Sequence, residues 1–234
     1  MVYHNGLTKK TVTERVIVCG DPFRVDRFAA LLQDPKPAVQ NREYRFIQGT
    51  YGGKPITIIS HGIGSAGAAI CFDELMQQGA KKIIRIGTAG GLYDSTKVGD
   101  VVCATAAVRE DGASLKMIPA NYPAVCDFKL VAKLEDSCKK YGDDFQSGIV
   151  LTSDLFYPKV MDPGLKLYKE AGVVAVEMEL ATLLTLASLH GVQAAGIFVL
   201  DGNPLQWDEG NYDPKASIKN ERLMELAEAS LKAL

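Results

Sequence analysis

Three acids stand where this chain could do chemistry: Glu177, Glu179 and Asp201. Glu177 and Glu179 lie two apart in Val176-Glu177-Met178-Glu179. On extended chain they point the same way, whereas on a helix they would share no face. They follow the apolar run 173–176, and a carboxylate beside a buried run is costly unless something pairs with it. Hydroxyls are candidate partners, so the pair suits a sugar diol. Asp201 closes an apolar strand over 194–200 and precedes Gly202-Asn203-Pro204. Carboxyl ends of strands are where open α/β sheets build their sites.

Arginines supply the opposite charge. Gly20-Asp21-Pro22-Phe23-Arg24 sets a free glycine amide and an arginine at a strand-to-helix turn, and Arg85-Ile86-Gly87-Thr88 sets an arginine and a hydroxyl at a second strand end. Amides at a helix N-terminus, forked guanidinium groups and a hydroxyl are the groups that hold inorganic phosphate. Either turn alone reads as a surface arginine; two on one sheet favour an anion site. Arg42, in Asn41-Arg42-Glu43, is a further candidate. Gly62-Ile63-Gly64-Ser65-Ala66-Gly67 matches the G-x-G-x-x-G dinucleotide fingerprint between a strand and a helix. The next strand carries Arg85 rather than the acid that would hold an adenosine ribose, which weakens the cofactor reading, and close helix–strand packing explains the motif equally well.

The elements that must position these residues alternate. Strands are expected over 15–19, 44–48, 55–60, 82–86, 101–108, 148–152, 173–176 and 192–200. Helices are expected from Pro22 onward and over 65–78, 128–141, 179–189 and 218–234. Tyr51-Gly52-Gly53-Lys54 signals a hairpin. Alternating elements with one hairpin predict an α/β domain with a mixed central sheet. No linker or repeat divides residues 1–234. The loop 205–216 is polar and holds the only tryptophan, Trp207, as functional walls often do.

Composition narrows the classes. The chain has 234 residues, 47% hydrophobic and 23% charged, which suits one globular domain with a sizeable core. A formal charge of −2 gives no electrostatic case for nucleic acid or membrane binding. Five scattered cysteines without a C-x-x-C pair read as reduced core residues in an intracellular compartment. The polar N-terminus has no apolar signal core, and no apolar run approaches the roughly 20 residues of a membrane helix. His4, His61 and His190 show no metal-ligand spacing.

Taken together, Gly20-Asp21-Pro22-x-Arg24, Asn41-Arg42-Glu43-Tyr44, Arg85-x-Gly87-Thr88-x-Gly90, Val176-Glu177-Met178-Glu179 and Asp201-Gly202 resemble the nucleoside phosphorylase family over nearly the whole chain. Ser60-His61-Gly62-Ile63-Gly64-Ser65, Val108-Arg109-Glu110-Asp111 and Gln206-Trp207-Asp208-Glu209-Gly210 resemble its protozoan-type branch of hexameric purine nucleoside phosphorylases. The resemblance implies a three-layer α/β/α domain over 1–234, phosphorylase/hydrolase-like, and a cytoplasmic homohexamer of purine salvage. It implies phosphate as co-substrate, with no cofactor and no metal. Gly20, Arg24, Arg85 and Thr88 would bind phosphate, with Arg42 from a neighbouring subunit. Glu179 would take the ribose hydroxyls, Met178 would pack on the sugar, and the neighbour's His4 would meet the 5′-hydroxyl. Phe156 would pack on the base, with Tyr157 a possible substitute; Val176 and Glu177 would line the pocket and Trp207 would wall it. Asp201 would protonate the departing purine, which requires a carboxyl kept protonated by desolvation or by nearby phosphate.

The expected reaction is reversible phosphorolysis of inosine and guanosine. Uridine phosphorylases carry a glutamine and an arginine after the Phe-Tyr-Pro element; here Phe156-Tyr157-Pro158 is followed by Lys159-Val160-Met161-Asp162. Alternatives are a uridine phosphorylase, a nucleoside-hydrolysing relative, a dinucleotide-dependent oxidoreductase and a catalytically silent nucleoside binder.

Overall fold

The computed structural model describes residues 3–9, 11–209 and 218–234. In chain order the elements are β1 (Arg15–Cys19), α1 (Pro22–Ala29), β2 (Val39–Asn41), β3 (Tyr44–Tyr51), β4 (Lys54–Ser60), α2 (Ser65–Gln78), β5 (Lys82–Gly91), β6 (Val101–Glu110), α3 (Gly112–Met117), β7 (Ala124–Val125), α4 (Phe128–Cys138), β8 (Phe145–Ser153), α5 (Leu165–Glu170), β9 (Ala175–Glu177), α6 (Leu180–His190), β10 (Gln193–Leu200) and α7 (Ile218–Ala233). Two 3-10 turns follow α4 and β10.

Apolar β-branched runs such as Ile56 to Ile59 and Ile83 to Ile86 make the central strands, buried on both faces. β1 pairs in parallel with β4 and β5, and β5 pairs in parallel with β10. β3 joins β4 antiparallel through the Gly52-Gly53 turn, and β2 forms the far edge. From β5 the sheet also curls into a ring: β10 pairs with β6, β6 with β8, β8 with β9, and β9 returns to β5. Helices α2, α3 and α6 pack together on one side, and α1, α4 and α7 meet on the other, giving three layers.

Several boundaries depart from the sequence reading. β5 continues past Ile86 to Gly91, so Arg85 and Thr88 sit within a strand rather than at its end. The glycines there admit close neighbours: a Cβ on Gly90 would stand 2.8 Å from Pro204, and one on Gly91 2.5 Å from Thr96. β9 starts at Ala175 rather than Val173. The short β2, β7, α3 and α5 carry too little periodicity to stand out in sequence. All five cysteines are buried thiols. No helix among the described residues is long and apolar enough to cross a membrane.

Candidate functional site

One cavity of about 900 Å³ opens over the ends of β1, β5, β9 and β10. Its wall includes Gly20, Arg24, Arg85, Thr88, Phe156, Tyr157, Val176, Glu177, Met178, Glu179 and Asp201, so it gathers most of the sequence-predicted residues.

The turn after β1 brings Gly20 and Arg24 to the cavity. Asp21 caps α1 by accepting the Phe23 N–H at 2.9 Å, and Pro22 opens the helix, where its missing N–H costs nothing. The Arg24 N–H donates to the Asp21 carbonyl at 3.1 Å, but its guanidinium makes no hydrogen bond or ion pair with another described residue. Burial lowers its pKa, against the nearby Asp21 and Asp201. A half-buried cation without a direct partner among the described residues is a ready anion ligand.

Arg85 is differently placed. It is buried, with Nε 3.0 Å from Glu177 Oε2 and Nη2 paired to both Glu177 and Glu179. Its Nη1 lies 3.1 Å from His61 Nε2. Of five guanidinium N–H groups, this leaves one on Nη1 uncommitted. Arg85 therefore cannot fork onto two phosphate oxygens, as the sequence suggested, without giving up Glu177, Glu179 or His61.

Glu177 and Glu179 do converge, although not as one strand. Glu177 ends β9, whereas Glu179 is the residue before α6. The Glu177 carboxylate accepts the Glu179 and Leu180 N–H groups at 2.9 Å and the Thr152 hydroxyl, so it caps α6 and holds Arg85. With its lone pairs filled, it is wall rather than ligand. Glu179 accepts the Gly64 N–H at 2.6 Å on Oε1 and Arg85 on Oε2. Burial pushes its carboxyl pKa up, and the Arg85 charge opposes this. Gly64 has φ 90°, a left-handed conformation that glycine tolerates, and it turns its amide toward Glu179. The G-x-G-x-x-G turn thus grips a carboxylate of the protein itself.

Asp201 is buried at the end of β10, its N–H donating to the Ala89 carbonyl at 3.0 Å. Phe156 and Tyr157 meet edge-on at 4.8 Å and both reach the cavity. His4 and Arg42 do not line it. The His4 ring contacts Glu74 at 3.0 Å, and Asn41 Nδ2 donates to the His4 carbonyl at 2.6 Å. Residue 42 adopts φ 56° on the exposed turn after β2. The two are thus gathered at one edge, outside the cavity of their own chain. Trp207 falls in the turn after β10, and its side chain lies outside the described residues. Among the described residues no group of His, Cys, Asp or Glu could hold a metal ion.

Residues 14–233 match the family model described as Phosphorylase superfamily. The chain belongs to that superfamily. It is 43% identical to a purine nucleoside phosphorylase of Plasmodium vivax over 99% of this chain and 94% of that one. Its fold matches the crystal structure of purine nucleoside phosphorylase from Toxoplasma gondii in complex with immucillin-H, with TM-score 0.94 and 37% identity over 99% of this chain and 94% of that one. A uridine phosphorylase of Vibrio fischeri is similar at TM-score 0.90 and 33% identity, covering 100% and 96% of the two chains.

Against this superfamily frame, sequence reasoning missed Glu43, Leu155, Leu165 and Pro204 in the wall. It also missed His61 and Thr152 behind the wall. Only three-dimensional proximity marks them: His61 is 24 residues from Arg85, and Thr152 is 25 from Glu177.

Proposed function

We propose that this superfamily member is a purine nucleoside phosphorylase, converting inosine and guanosine with phosphate to the free base and ribose 1-phosphate. The observation that carries this reading is one cavity joining Arg24, whose guanidinium has no direct partner among the described residues, to a doubly held Glu179 and to Asp201. The names of the similar Plasmodium vivax and Toxoplasma gondii enzymes support it.

Gly20, Arg24, Thr88 and the remaining Arg85 N–H hold phosphate, with the neighbour's Arg42 completing the charge. Glu179 has two of its four acceptor positions filled, and the two left over match the 2′- and 3′-hydroxyls. Met178 packs on the sugar, Phe156 on the base, and Trp207 closes the wall. As the glycosidic bond lengthens, the sugar gains positive charge, which the phosphate stabilises before attacking the anomeric carbon. Asp201 gives its proton to the leaving purine. The base wall after Tyr157 is apolar, with Pro158, Pro163 and Leu165, and offers no polar reader of a uracil edge.

His4 and Arg42, gathered beyond their own cavity, serve the site of an adjacent subunit in a homohexamer. The enzyme needs no cofactor or metal, acts in the cytoplasm and belongs to purine salvage. Purified protein mixed with inosine or uridine, with and without phosphate, tests the reading. Phosphate-dependent release of hypoxanthine, with uridine intact, is expected. Cleavage of inosine without phosphate means a nucleosidase, and cleavage of uridine alone means a uridine phosphorylase; either overturns it.

A further inference from the structure

The His61 ring is completely buried, yet it is outside the cavity wall. It packs edge-on against Phe72 of α2 at 5.1 Å, and its Nε2 faces Arg85 Nη1 at 3.1 Å. An arginine stays protonated and only donates, so Nε2 must be the acceptor. The ring proton is therefore on Nδ1, where the Gly62 main chain is the neighbouring polar group, too poorly aligned for a full hydrogen bond. Burial and the Arg85 charge lower the His61 pKa and outweigh the Gly62 main chain, in keeping with a neutral ring.

The main chain fixes this placement. The His61 N–H donates to the Cys19 carbonyl at 2.9 Å, and the Gly62 N–H donates to the Gly20 carbonyl at 3.1 Å. The loop carrying His61 is thereby stitched to the turn carrying Gly20 and Arg24. A Cβ added at Gly20 would come within 3.8 Å of His61 Cε1. Glu177 and Glu179 hold Arg85 from one side, and His61 takes the opposite branch of its guanidinium.

We infer that His61 is a positioning residue: a neutral acceptor that fixes Nη1 of Arg85, so that the last free N–H of that group meets phosphate beside Gly20. The inference rests on the phosphorylase reading. The test is steady-state kinetics of purified variants with inosine and phosphate varied separately, beside unliganded melting curves. His61→Phe keeps a ring against Phe72 but removes the acceptor. Its phosphate KM should rise about ten-fold, the scale of one charge-assisted hydrogen bond, while its inosine KM at saturating phosphate and its melting temperature stay near the wild type. His61→Gln, whose amide oxygen can stand where Nε2 was, should recover most of that loss. His61→Asn, too short to reach Arg85, should not, and the contrast of these two carries the test should the Phe variant fail to fold. A wild-type phosphate KM in His61→Phe or His61→Asn overturns the inference alone, as does a Gln variant no better than Asn. Wild-type cleavage of inosine without phosphate overturns the functional reading and this inference with it.

Discussion

Glu179 and Asp201 are both buried carboxyl groups, yet their surroundings ask different things of them. Glu179 is held by Gly64 and Arg85 and keeps two acceptor positions. A 2′-deoxynucleoside fills only one of them, so its kcat/KM should fall by about ten-fold relative to inosine, as measured by initial rates. Asp201 lies in the same cavity wall at the end of β10, where the proposed reaction makes it the proton donor. Replacing it by asparagine keeps the shape but removes the acidic proton. Turnover of inosine in Asp201→Asn should drop by about 10²–10⁴-fold while phosphate affinity, followed by calorimetry, is retained. Unchanged turnover would remove Asp201 from the mechanism.

The strand β5 explains why part of this site was legible and part was not. Its residues Arg85, Gly87, Thr88 and Gly90 were readable as a motif, because unusual residue types interrupt an apolar run. Their placement was misjudged, since a strand that keeps its pairing with β10 through Thr88 and Ala89 does not stop at Ile86. Fold class followed from the alternation of periodicities, which is a local property. The grip of Arg85 on Glu177 and Glu179 spans 92 and 94 residues, and no local pattern encodes it. Gly90 is the sharpest case of a distant constraint. Pro204, a rigid ring in the cavity wall, stands where a Cβ at Gly90 would go. Gly90→Ala should therefore destabilise the fold by about 1–3 kcal/mol, read from denaturant melts, and should lower turnover by displacing the turn after Asp201.

Across the whole molecule, the N-terminal segment is tied to the body by one carboxylate. Glu74 of α2 accepts the N–H groups of Tyr3, His4 and Asn5 at 2.8–2.9 Å, besides the His4 ring. Burial works against its ionisation, but these donors outweigh it and the pKa falls below the ordinary 4.5. A carboxyl depressed on folding lends stability that is full above its unfolded value and is lost as pH falls through the folded one. The gap in melting temperature between wild type and Glu74→Gln should therefore be constant above pH 4.5 and close under stronger acid. A gap that widened on acidification would contradict this. The five buried thiols carry a different consequence. Burial pushes Cys19 and Cys126 up to about 12 and Cys138 up to about 11, and it raises Cys71 and Cys103 as well. None is thiolate at neutral pH, and only the thiolate reacts with alkylating reagents. The folded chain should thus stay unlabelled by iodoacetamide, while each opened molecule takes up label at its thiols. Mass spectrometry after a timed pulse would then read the rate of opening directly, with no probe attached: the thiols in the sheet and helices make the enzyme its own unfolding clock.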